Sequence, residues 1–132
     1  MEPVLHSQPW GFAVWAGAAL PDGAFAVIRE AEGVTLIAPV SVLAGLGIDP
    51  GPTMARISLT IHSALEAVGL TAAFSGALAA EGISANVVAG FHHDHIFLPW
   101  DRRDAAMAVL RSCGTWRGAD ARREIRSQKF WP

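Results

Sequence analysis

The 132 residues predict an α+β fold in which an antiparallel sheet carries helices on one face. Three observations lead there. Arg56-Ile57-Ser58-Leu59-Thr60-Ile61-His62 alternates strictly between polar and apolar, which describes a half-buried strand with Ile57, Leu59 and Ile61 turned to a core. After the turn Val68-Gly69-Leu70-Thr71, the residues Leu70, Ala73, Phe74, Ala77 and Leu78 recur at helical spacing and form one apolar stripe. From Ile83 to Phe91 the chain is rich in Val and Ala; His92-His93-Asp94 then turns it into His95-Ile96-Phe97-Leu98, a returning strand.

The punctuation between these elements is consistent with them. Gly82 closes the helix in the usual place for a left-handed C-cap. Pro99 stops the returning strand, and Asp101 reads as the N-cap of a second helix, with Asp104 three residues on favouring the helix dipole. That helix places Ala106, Val109, Leu110 and Cys113 on one face and ends at Gly114. The order from Ala55 is β-α-β-β-α, completed by a last strand near Thr115-Trp116, which is the order of a ferredoxin-like βαββαβ sandwich.

The first half is less regular. Trp10 to Ala16, Ala24 to Arg29 and Val34 to Ala38 read as strands, with a turn at Glu32-Gly33 and a short helix over Val40 to Leu46. It looks like a worn βββα version of the second half. Asp49-Pro50-Gly51-Pro52 is a stiff connector and the natural boundary. The chain is therefore divided into 1–52, 53–114 and a basic tail over 115–132.

Composition narrows the function. Hydrophobic residues make up 52% and charged residues 17%, enough apolar material for a core. Up to Cys113 there are five Lys/Arg against ten Asp/Glu, and from Gly114 onward five against two. An acidic body with a short basic tail argues against a dedicated nucleic-acid binder. The uncharged stretch Gly33 to Ile48 contains Pro39 and is shorter than the roughly 20 apolar residues that a membrane helix needs. Met1-Glu2-Pro3 does not open a secretory signal, and a single cysteine fits a reducing cytoplasm.

The turn before the stripe is the leading candidate for chemistry. A strand-to-helix turn presents unpaired N–H groups and the positive end of the helix dipole, Gly69 allows close approach to the backbone, and Thr71 adds a hydroxyl. A carboxylate suits that arrangement. The plainer reading is that Gly69 only permits a tight turn and Thr71 only caps the helix. His92, His93, Asp94 and His95 form a dense cluster of metal-ligating side chains. On a continuous strand, however, they face opposite sides in alternation, so a polar hairpin turn is the simpler reading. Cys113 sits near a helix C-terminus, where a thiolate is disfavoured. There is no serine–base pairing, phosphate loop or acid pair. Trp10 and Trp15 suit core or interface anchors, and Trp116 and Trp131 suit docking of the tail.

The strings Ser58 to Phe74, Gly82 to Phe91, His93 to Pro99 and Arg29-Glu30-Ala31-Glu32-Gly33-Val34-Thr35-Leu36 resemble the small bacterial ACT-domain proteins, specifically those with two ACT-like units in tandem. The resemblance spans Pro3 to Cys113, with the first unit degenerate. It implies a non-catalytic regulatory module without a cofactor, binding an amino acid or similar effector between the turn after one unit's first strand and the neighbouring unit's sheet. Carried over by position, the ligand-binding residues are Val68, Gly69, Leu70 and Thr71, with Asn86 and Val87 near them at the start of the next strand. The turn reads Glu66-Ala67-Val68-Gly69, not the Asp-x-Pro-Gly common among ACT domains. A homodimer or higher oligomer is expected, since open sheet edges invite pairing. The alternatives are an interaction protein with an empty pocket and a metal-binding protein built on the histidine cluster.

Overall fold

The computed structural model describes residues 2–60 and 69–113. Its strands are β1 (Glu2–Leu5), β2 (Trp10–Trp15), β3 (Ala26–Glu30), β4 (Gly33–Pro39), β5 (Met54–Thr60), β6 (Asn86–Ala89) and β7 (Asp94–Pro99), and its helices are α1 (Val40–Gly45), α2 (Leu70–Ala80) and α3 (Arg103–Ser112). The strands form one antiparallel sheet in the order β3-β4-β2-β5-β7-β6, with β1 also paired to β5.

Strand β5 is paired along both edges. On one side β7 runs beside it from Met54↔Pro99 to Leu59↔Asp94. On the other, β1 pairs from Glu2↔Thr60 to Leu5↔Ile57, and β2 adds the bridge Trp10↔Met54. The sequence did not announce β1: four residues including a proline are too short a pattern to read. Beside β5 it fills the position that the last strand of a βαββαβ order would take. The strand expected near Thr115-Trp116 and the tail lie outside the described residues, as do Ile61, His62 and Val68.

The two halves place corresponding strands alike. In each, the first strand is innermost, the second is at the edge and the third lies between them. Strands β4 and β7 both end in proline, at φ −55°, ψ 143° for Pro39 and φ −53°, ψ 134° for Pro99, and both turn directly into a helical segment. Val40 donates its N–H to the Pro9 carbonyl at 3.0 Å, and Trp100 donates to that of Thr53 at 3.1 Å. The halves differ where the second has α2 and the first only the connection over 16–25. Strand β2 lies so close to the 49–52 connector that a Cβ on Gly11 would sit 2.6 Å from the Pro50 carbonyl oxygen, so only glycine fits there.

The three helices of the described residues pack on one face. Ala55, Ile57, Leu59, Ile96 and Leu98 meet Leu70, Phe74 and Leu78 of α2 and Ala106, Met107 and Leu110 of α3. Ala13, Leu36 and Ala38 meet Leu43 of α1. Because paired residues share a face and neighbours alternate, the rung Pro39–Trp10–Met54–Pro99 fixes both clusters on the same side. Among the described residues no helix lies over the opposite face. Trp10, Ile37 and Phe97 are buried there among half-buried Phe12, Phe25, Met54 and Val88. One expected cap is corrected: a 3-10 turn over Trp100–Arg102 leads into α3, and Asp101 makes no capping bond. Asp104 does stand in the first turn of α3.

Phe74 has no exposed surface and joins α2 to the sheet. Phe74→Ala is expected to lower unfolding free energy by about 3–5 kcal/mol, read from urea denaturation.

Candidate functional site

Gly69 is the N-cap of α2, with φ 92° and ψ −13°, a left-handed conformation that a β-branched residue adopts only with strain. Its carbonyl accepts the Ala73 N–H at 3.0 Å, the first turn of the helix. No side chain caps that end, and its first turn holds no acidic residue. Thr71 therefore does not serve as a cap; it is exposed, whereas Leu70 is buried in the core. The first-turn N–H groups of α2 are thus left without a side-chain acceptor among the described residues.

The structure does not bring Asn86 and Val87 to that turn within one chain. Ile83 donates its N–H to the Leu78 carbonyl at the C-terminal end of α2, and β6 starts three residues later. Gly69 stands at the other end of this helix, about 15 Å away at the usual helical rise. The two residues also diverge in facing. Val87 packs on the helix side of the sheet, while Asn86 donates its side-chain amide to the Phe97 carbonyl at 3.3 Å.

The histidine cluster comes apart in a similar way. His92 and His93 are exposed in the β6–β7 turn, closed by the Gly90 N–H bonding the His93 carbonyl at 2.9 Å. Burial raises the Asp94 carboxyl above its ordinary range. His95 turns onto the face opposite the described helices, its ring centroid 4.9 Å from that of Phe25. Among the described residues, no three His, Cys, Asp or Glu side chains are grouped to hold a metal ion.

What the sequence did not reveal is the network His95 joins. The His95 Nδ1 lies 3.1 Å from the Ser58 hydroxyl and 3.3 Å from the Arg56 Nη2, and the Ser58 hydroxyl lies 2.8 Å from the His6 Nε2. Since guanidinium can only donate, Nδ1 accepts and His95 is neutral. The chain then runs from the His6 N–H to Ser58 and from the Ser58 O–H to His95. Burial first, and then the nearby positive charge of Arg56, pushes His95 down from 6.5 to about 4, and the same two causes lower His6. Strict alternation in β5 does place Arg56 and Ser58 on one face, but not that loops and neighbouring strands would cover it. His95 stays neutral in the fold yet gains a proton on unfolding below its ordinary value. Stability is therefore fully present above pH 6.5 and is lost as pH falls toward about 4. Denaturation midpoints measured across that window should fall for the native chain and fall less steeply for His95→Gln.

Residues 55–112 match the ACT domain family. A crystal structure of a Vibrio cholerae protein, described as of unknown function and a possible transport protein, is similar at 42% identity and TM-score 0.75, over 82% of this chain and 85% of that one. An Agrobacterium tumefaciens protein is similar in fold, at 18% identity and TM-score 0.64 over 81% of this chain and 84% of that one. So is the regulatory subunit of aspartate kinase from Thermus thermophilus in its ligand-free form, at 10% identity and TM-score 0.60 over 83% and 94%. A search of curated proteins found no match. The chain belongs to the family of the Vibrio cholerae protein, and its residues 55–112 match the ACT domain.

Proposed function

We propose that the protein is a non-catalytic regulatory module of the cytoplasm that binds a small effector, an amino acid or a close relative, and works as a homodimer or higher oligomer. The observation that carries this reading is the opening of α2. A left-handed glycine exposes uncapped N–H groups at the positive end of a helix, in the ACT-matching half of the chain. Val68, Gly69, Leu70 and Thr71 form one wall. Asn86 and Val87 form the second wall from a neighbouring unit, which accords with their distance from the turn within one chain. Among the described residues strand β6 is an edge strand, and its outer backbone groups suit pairing with a second copy.

We further read the chain as two ACT-like units, 1–52 shortened and 53–114 complete. The matching strand order and the paired Pro39 and Pro99 exits support duplication. Among the described residues no helix is long and apolar enough to cross a membrane.

A thermal-shift screen of the standard amino acids tests the site. At least one should raise the melting temperature, since ligand at 100 times its dissociation constant adds about 2.7 kcal/mol. Gly69→Val should remove that shift. No response from any amino acid, with Gly69→Val also without effect, would count against the reading. Light scattering should find a dimer or larger species.

A further inference from the structure

The face of the sheet opposite the described helices holds a cation, Arg56, with no anion beside it among the described residues. The Arg56 guanidinium carbon lies 4.8 Å from the Trp10 ring centroid and 4.1 Å from that of Phe25. No carboxylate among the described residues pairs with it. Its Nε is buried without a partner, and so is the indole Nε1 of Trp10, itself only 4% exposed. The groups nearest the guanidinium carry no negative charge: two aromatic rings, the His95 ring at 3.3 Å and, through it, the Ser58 hydroxyl and His6. The His6–Ser58–His95 chain anchors Nη2, which leaves the remaining N–H groups in a fixed orientation. A guanidinium partly withdrawn from water is stabilised by an acceptor, and rings replace one only in part. A buried Nε without a partner shows that the site is short of acceptors, while Arg56 as a whole is only partly buried and can still meet one from outside. The surroundings, half-buried Phe12, Phe25 and Met54, suit an apolar body attached to that acceptor.

We infer that this face binds a small organic carboxylate with an aromatic or branched apolar body, its carboxylate on Arg56 and its body against Phe12, Phe25 and Met54. The site lies across the sheet from the helices and does not depend on the Gly69 reading.

The test is a nuclear magnetic resonance titration of the full chain with sodium phenylacetate, following the Trp10 indole N–H and the His95 ring, with 2-phenylethanol as the uncharged control. Phenylacetate should shift both signals saturably at millimolar concentration, and 2-phenylethanol should not. The shift should vanish in Arg56→Met, weaken about tenfold in Arg56→Lys, which keeps the charge without the planar fork, and survive in Gly69→Val. Unmoved signals in the native chain overturn the proposal, as does undiminished binding by both Arg56 variants.

Discussion

The pairing of β5 on both of its edges is the constraint on which the rest of the structure depends. Four rungs to β1, one bridge to β2 and six rungs to β7 make this strand the seam between the halves. Neither half can slide against the other without breaking that register. A slip of one residue would exchange Ala55, Ile57 and Leu59 for Arg56 and Ser58 in the helix-side core. The apolar set is buried completely, so the register is fixed by burial as much as by hydrogen bonds.

The same alternation gives the strand two chemistries. Its odd-numbered residues hold α2 and α3 in place, and through Leu70 the opening of α2 is tied to the core one residue from Gly69. Arg56 and Ser58, at its even-numbered positions, lie on the face opposite the described helices, where aromatic rings replace much of the solvent. On that face a positive charge and low polarity together keep His95 neutral. The opening of α2 and the Arg56 network therefore share a scaffold while lying on opposite sides of it.

Much of the fold was legible because its signals are local. The Leu70–Phe74–Leu78 stripe lies within three turns of one helix, and the exits at Pro39 and Pro99 are marked by residues that end strands. What stayed hidden depends on distance along the chain. Strand β1 is four residues long and acquires meaning only by pairing with residues 57–60. The Arg56 network draws on His6, Trp10, Phe25, Ser58 and His95, which no spacing rule connects. Sequence position placed Asn86 and Val87 beside the Gly69 turn, but α2 carries the chain to its far end before β6 begins. The opposite facing of Asp94 and His95 followed from strand alternation, whereas the destination of the His95 ring did not, and His92 and His93 lie in the turn before β7.

Native-state hydrogen exchange tests the shared sheet most directly. If β5 joins the halves into one cooperative unit, the amides of Leu36 and Ile37 in β4 should exchange with the same opening free energy as those of Ile57 and Leu59, to within about 1 kcal/mol. Exchange of the β2–β4 amides through a much cheaper opening, with β5 and β7 still fully protected, would show two independent units and contradict the account.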